Sequence, residues 1–567
     1  MRANEPIVQI AFRSPSEVVR AVGLPVVLLS LAVWGAFGRV LTSGLVFDDL
    51  DTIKYNTTIT SLTNLSVLFS RKDYFRVSDE YSYRPIVTLS YFLDHAVGGK
   101  NPAVYHLHNL ALHHLNVLLV FTLFYLLGAG RWPAFAVALL FALHPLNAEA
   151  VIFPGFREDL QMTLGMLVAS VCLTADRNRL TGRWFLGAPP ALAFALFAKE
   201  GALLLPAAWL AFDAIHNSTE RPRLNLKRRH GLIVLVVIVY VAVRFFVMTN
   251  PDAAELDVVD RLPLGQRLLT APCLFAYYAR RFLWPTPLCI IHEIEPLKQA
   301  DAAFGGSVII VAAVVGLWIV AALLEKWPWF AGLWIAAAFA PVANLYPIVN
   351  LWAERFYYSV GIGMSALVVA AVAAAWDRLA RRLSDDRRLA LAIVGWLLAG
   401  LLGWSAAVCD LKRITECRDS LSLWRATVRW VPTNETALAT LAIAELEAGH
   451  LSRAETIARE AEQRGGGVYR FNYILGQAAF RRGDWASAIT RLEKALTAPP
   501  PSIRSRTTLV LSLTRAYLKV GRSDRAATLL GKGLEWDPQN RALGSMLGQI
   551  ATQPAEAPST APAAAKQ

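Results

Sequence analysis

Two adjacent carboxylates, Asp48 and Asp49, follow directly on the first long apolar run of the chain. A carboxyl at the end of a membrane helix lies near a low-dielectric boundary, where burial raises its pKa and a nearby cation lowers it. Such a group suits a general base that takes a proton from a hydroxyl. Ordinary solvated acids at a helix end are the competing explanation. Three cations stand in equally unusual places: Arg84 in Tyr83-Arg84-Pro85, Lys199 in Lys199-Glu200, and Arg355 in Ala353-Glu354-Arg355-Phe356-Tyr357. Guanidinium and ammonium groups are the usual partners of phosphate oxygens, most of all where water is scarce. Structural ion pairs explain each of the three as well as phosphate binding does. His144 to Ala150, which contains Glu149, and Phe156-Arg157-Glu158-Asp159 complete the set, with His106, His108, His113 and His114 beside them. Charges at span ends are expensive and are usually paired or functional, so their gathering on one membrane face weighs more than any single cluster. The four histidines read as a packed, hydrogen-bonded helix surface, because no acidic partner at ligand spacing marks a metal site.

The elements that must position these residues are membrane helices. The 567 residues are 55% hydrophobic and 17% charged, where a soluble domain carries nearer a quarter charged residues. Apolar runs predict an all-α, polytopic bundle of about eleven spans, near 21–42, 107–128, 131–147, 159–175, 184–198, 201–214, 231–249, 305–324, 327–345, 358–376 and 389–408. The fifth and sixth form a helix pair that meets at the membrane surface at Lys199-Glu200. The first run lacks a small-residue cleavage site and reads as a retained helix after a cytoplasmic lead, 1–20. The net charge of +13 sits largely in short loops: Arg177, Arg179 and Arg183; Arg221, Arg223, Lys227, Arg228 and Arg229; Arg378, Arg381, Arg382, Arg387 and Arg388. The positive-inside rule accounts for these and excludes a nucleic-acid reading. External segments then comprise 43–105 and 250–304, and the segment 266–291, interrupted by Arg280 and Arg281, lies in the interface. The five cysteines show no zinc or redox spacing and read as apolar interfacial residues.

From 409 to 551 the texture changes to amphipathic helices with an internal repeat. Gly449, Gly483 and Gly521 recur at spacings of 34 and 38, with Ala454, Ala488 and Ala526 five residues later, and Ala442 and Gly476 repeat the 34. Small residues at this period mark a tetratricopeptide (TPR) α-solenoid of about three repeats, since only small side chains let the paired helices cross closely. The extra residues of the second spacing fall in the Pro499-Pro500-Pro501 linker, and 552–567 is a Pro/Ala-rich, disordered tail.

At Phe47-Asp48-Asp49, Tyr83-Arg84-Pro85, His106 to Asn116, His144 to Ala150, Gly155 to Leu160, Lys199-Glu200 and Ala353 to Tyr358 the chain resembles the transmembrane and TPR-containing O-mannosyltransferases, within the GT-C superfamily. The resemblance implies a GT-C-like catalytic part over 21–408 that moves one sugar from a polyprenyl phosphate to a protein hydroxyl or envelope glycan, with inversion, on the noncytoplasmic face. A bacterial inner membrane is the implied location. Asp49, with Asp48, inherits the base or acceptor-orienting role. Arg84, Lys199 and Arg355 are implied contacts of the lipid phosphate, supported by His144, Glu149, Arg157, Asp159, Glu200 and Glu354. No cofactor is implied, and a divalent metal is left open. The TPR part would hold the acceptor protein or glycan on its concave face. An oligosaccharide ligase or polymerase would place its main external loop late in the chain, and a noncatalytic TPR scaffold would tolerate loss of Asp49.

Overall fold

The computed structural model describes residues 15–78, 82–177, 184–217, 225–250, 262–346, 348, 350–498, 503–537 and 540–552. Arg179, Arg183, Arg221, Arg223, the triple-proline linker, the first fourteen residues and the tail from 553 fall outside these. The described residues form helices and contain no strand. The chain divides into two compact units, Met1–Asp419 and Ser420–Gln567. The boundary lies beyond residue 409 because the last apolar helix continues without a break to Glu416.

The first unit contains α1 (Pro15–Phe37), α2 (Arg71–Ser78), α3 (Pro85–Gly98), α4 (Pro102–Leu126), α5 (Arg131–Ala142), α6 (Ala148–Ile152), α7 (Arg157–Arg177), α8 (Ala188–Ala198), α9 (Leu205–Asn217), α10 (Leu226–Ala242), α11 (Leu264–Leu283), α12 (Ala302–Leu324), α13 (Trp327–Phe339), α14 (Tyr357–Ala380) and α15 (Asp385–Glu416). Among the described residues six helices are long and apolar enough to cross a membrane, seven if α5 and the stretch Pro145–Ile152, bent by 53°, make one span. The remainder of the expected eleven are shorter or more polar. Residues 159–175 belong to α7, whose first turn carries Arg157, Glu158 and Asp159, all buried. A helix packed by protein on nearly every side need not be apolar throughout, because its polar groups find partners there. Residues 184–198 and 201–214 form short helices on either side of the Lys199-Glu200 break. Segment 266–291 holds α11, which buries Leu274, Phe275, Tyr278 and Phe282 and carries Arg280 and Arg281 in its last turn.

The second unit runs through α16 (Ser420–Trp430), α17 (Glu435–Glu447), α18 (Leu451–Gln463), α19 (Val468–Arg482), α20 (Trp485–Leu496), α21 (Ile503–Lys519), α22 (Ser523–Trp536) and α23 (Arg541–Thr552). The repeating glycines stop helices: Gly449, Gly483 and Gly521 have φ of +82°, +82° and +73°, a left-handed conformation that glycine reaches without strain. Two cores follow, one around Ala442, Ala454, Phe471 and Ala478, the other around Leu492, Leu509, Leu513 and Leu530. Next-but-one helices α17 and α19 pack on each other across α18, and α19 and α21 touch across α20. These three, α17, α19 and α21, therefore form the inner layer of the array and the others its outer layer.

Candidate active site

After the first apolar helix the chain turns sharply at Val46–Asp49, where the Asp49 amide donates to the Val46 carbonyl at 3.1 Å. Phe47 takes a left-handed φ of 53°, which is costly for a bulky side chain and holds only where surroundings enforce it. The enforcing contacts come from Asp49. Its Oδ1 accepts the Gly155 amide at 2.6 Å and its Oδ2 accepts the Val46 amide at 3.1 Å. A Cβ on residue 155 would lie 2.9 Å from that Oδ1, so only glycine allows the approach. Asp49 is fully buried, and burial pushes its carboxyl up to about 8 against the two backbone donors.

Asp48 has the opposite environment. Its side chain is exposed, yet it lies in a recess surrounded by protein. That crowding raises the carboxyl to about 6; Arg355 pulls it down, while Glu158, Glu149 and Asp51 push it up. Of the pair, Asp48 can reach a substrate and Asp49 shapes the turn that presents it.

The three cations lie in one electrostatic cluster with it. Arg355 pairs with Glu149 at 2.7 Å, and the other oxygen of Glu149 accepts the Arg355 amide at 2.8 Å. The Arg355 guanidinium also lies 3.9 Å from the Phe156 ring centre and interacts with Glu158, Asp159 and Asp48. Lys199 Nζ is 2.7 Å from both oxygens of Asp159 and 3.7 Å from Glu158. Arg84 reaches Glu200 at 3.2 Å and Glu158 at 3.5 Å. Arg84 and Glu200 are the open members, with side chains 19% and 45% exposed.

Other expected residues are held by structural partners. Arg157 is a buried strut, 2.6 Å from Asp94 and bonded to Ser90, Asn109 and the Tyr105 carbonyl. His144 stacks on Phe282 and bonds its carbonyl at 3.0 Å, a packing role. Glu354 turns away from Arg355: its Oε1 accepts the Cys289 amide at 2.7 Å and lies 3.3 Å from His292, and its Oε2 is 3.8 Å from Arg413. His106, His113 and His114 bond to Gly44, Tyr358 and Ser30, as a packed surface would, whereas His108 has an acidic partner, Asp94, at 2.7 Å. Sequence reasoning did not single out Asp94 or Arg413, and it named Glu158, which bridges Arg84 and Lys199, only as part of its motif. For Asp94, which follows Tyr91-Phe92-Leu93, a charge beside apolar residues was the available signal.

An apolar cavity of about 470 Å³ opens between α11, α12 and α13, lined by Phe275, Val315, Trp318, Phe339, Ala340 and Ala343 among others. The turn at Ala340–Val342 packs against Glu200–Leu204, so this lining ends beside the Lys199-Glu200 break. Among the described residues no group of three or more His, Cys, Asp or Glu side chains is arranged to hold a metal ion.

Residues 479–550 match the tetratricopeptide repeat family. The chain is 28% identical over 268 residues to protein O-mannosyl-transferase TMTC2 of Homo sapiens, covering 43% of this chain and 32% of that protein. The mouse TMTC2 aligns at 33% identity over 201 residues, covering 34% and 23%, and the Caenorhabditis elegans protein O-mannosyl-transferase F38B6.6 at 26% over 301 residues, covering 50% and 41%. Each alignment thus spans less than half of the relative's length. Among solved structures, ArnT from Cupriavidus metallidurans bound to undecaprenyl phosphate superposes with a TM-score of 0.36 at 14% identity, covering 90% of this chain and 80% of that one. The chain is an all-helical membrane protein that ends in tetratricopeptide repeats and is similar in sequence to the protein O-mannosyltransferases of animals.

Proposed function

We propose that the protein is a membrane glycosyltransferase of the GT-C type, which moves a single sugar from a polyprenyl phosphate to a hydroxyl of a protein or envelope glycan on the noncytoplasmic face. The observation that carries this reading is Asp48, an open carboxylate recessed beside Arg355, in the cluster that includes Lys199 and Arg84. Asp48 replaces Asp49 as the base, because both oxygens of Asp49 are occupied by backbone amides. The Asp48 carboxylate takes the proton of the acceptor hydroxyl, and the oxygen attacks the anomeric carbon from the face opposite the phosphate. The bond between that carbon and the phosphate oxygen breaks, and the configuration inverts. Negative charge grows on the departing lipid phosphate, where cations fixed in advance lower the barrier most. Arg84, Lys199 and Arg355 supply these, with Glu149, Glu158, Asp159 and Glu200 holding them in place. The apolar cavity offers a water-free bed for the isoprenyl chain, and its Ala340–Ala343 end adjoins the cationic cluster. The repeat array holds the acceptor, and the N-terminus faces the cytoplasm of a bacterial inner membrane.

The test compares wild type, Asp48→Asn and Asp49→Asn by intact-mass spectrometry of envelope proteins. Loss of sugar mass with Asp48→Asn at normal expression is expected. Unchanged glycan in that variant sinks the reading.

A further inference from the structure

Two of the three inner helices of the repeat array differ in charge from the rest. The inner helices α19 (VYRFNYILGQAAFRR) and α21 (IRSRTTLVLSLTRAYLK) contain no Asp or Glu. The acids of the array sit on the outer helices, Glu455, Glu460 and Glu462 on α18, Glu493 on α20, Asp524 and Glu535 on α22, and on the first inner helix α17, which carries Glu435, Glu445 and Glu447. On the outer helices they hold cations in ion pairs such as Arg482–Glu455 at 2.8 Å and Arg491–Glu462 at 2.9 Å.

The repeat spacing shows which positions of the inner helices are equivalent. Thr436, Arg470 and Thr508 are equivalent, as are Ile443, Gln477 and Arg515, and Glu447, Arg481 and Lys519. Side-chain bonds join neighbouring inner helices along this stripe: Arg470 donates to the equivalent Thr436 Oγ1 at 2.8 Å, and Gln477 to Ser512 Oγ, one turn from its equivalent Arg515, at 2.6 Å. Arg481, Arg515 and Lys519 are exposed and belong to neither hydrophobic core. None of the three forms an ion pair among the described residues; Arg481 donates to the Leu446 carbonyl, and Lys519 lies over the Trp485 ring. Their one acidic equivalent is Glu447, on the first inner helix.

We propose that the inner face of the repeats binds an acidic, extended segment of a protein, with Arg481, Arg515 and Lys519 as its carboxylate contacts. The inference rests on the reading that the array holds the acceptor, and it specifies that partner's chemistry. Three uncompensated cations on one face repel one another weakly in water, and an acidic chain replaces that repulsion with charge-assisted hydrogen bonds. Gln477, Ser512 and Thr508 add neutral donors and acceptors between the cations, which suits the main chain of an extended peptide. Packed helices lie about 9 Å apart, and an extended chain rises about 3.3 Å per residue, so carboxylates roughly three residues apart match the step from α19 to α21.

The test uses the full chain in nanodiscs of neutral lipid and a fluorescent peptide with Asp or Glu at every third position, set against its Asn/Gln and Lys counterparts. Binding of the acidic peptide alone is expected, weakened at least about tenfold as salt rises from 0.1 M to 1 M and the screening length falls from about 10 Å to about 3 Å. The triple variant R481E/R515E/K519E should lose the acidic peptide and gain the Lys peptide, an exchange that misfolded protein cannot produce. Equal binding of acidic and neutral peptides overturns the proposal, as does undiminished acidic binding by the triple variant. So does capture of the wild type by vesicles rich in anionic lipid with no peptide binding. Asp48→Asn keeps peptide binding while losing transfer. Failure to bind alongside intact transfer therefore condemns this inference alone, and binding without wild-type transfer condemns only the transferase reading.

Discussion

Asp48 and Asp49 are neighbours in the chain, yet one faces a recess and the other is walled in by backbone amides. Different losses follow. Asp49→Ala leaves the Gly155 and Val46 amides buried without acceptors, which costs about 2–4 kcal/mol in total. A marked fall in the thermal midpoint is expected for this variant in detergent, and an unchanged midpoint would contradict the stapling role. Asp48→Asn should unfold like wild type. The pH profile belongs to Asp48 as well. A base works unprotonated, and burial raises this carboxyl to about 6, so transfer should be full above that value and fall as pH drops through it. A flat rate from pH 7 to pH 5 would remove Asp48 from the base role. The acid pair itself was legible, because two carboxylates beside an apolar run are conspicuous. The choice between them was not, since it depends on where Gly155, over a hundred positions away in the chain, brings its amide.

At the scale of elements, charged residues at helix ends fasten loops over the site. Arg413, in the last turn of α15, is 1% exposed and reaches Glu354, Glu416 at 3.8 Å and the Leu288 carbonyl at 3.3 Å. Glu354 in turn holds the Cys289 amide, so residues 288–292 are tied from two sides beside Arg355. Arg413→Met keeps the apolar stem and removes the charge, leaving Glu354 with one partner fewer in a buried setting. Faster amide hydrogen exchange across 286–296 is expected, with little change in α4; equal protection there would show that the loop is held by packing alone. The motifs around Arg355 and Lys199 were readable as expensive charges at helix ends. Glu354 in the same motif as Arg355, and Arg157 beside Glu158, serve as struts, because proximity in sequence does not determine which way a side chain turns.

For the whole molecule, the helical class, the membrane part and the repeats were all apparent from hydrophobic runs and the 34-residue spacing. The number of spans was less so. Run length cannot separate a helix facing lipid from α7, which is buried by protein and keeps Arg157, Glu158 and Asp159 inside. Orientation is tested at this scale: a reporter fused after residue 410 should read noncytoplasmic, and a cytoplasmic signal would reverse the proposed topology. The exposed cations of α19 and α21 also bear on how such chains diverge. Alanines and leucines between the layers carry the folding stability, whereas Arg481, Arg515 and Lys519 belong to neither core. Substitutions at those three positions are nearly silent for folding. Changes there alter the charge of the array without touching either of its cores.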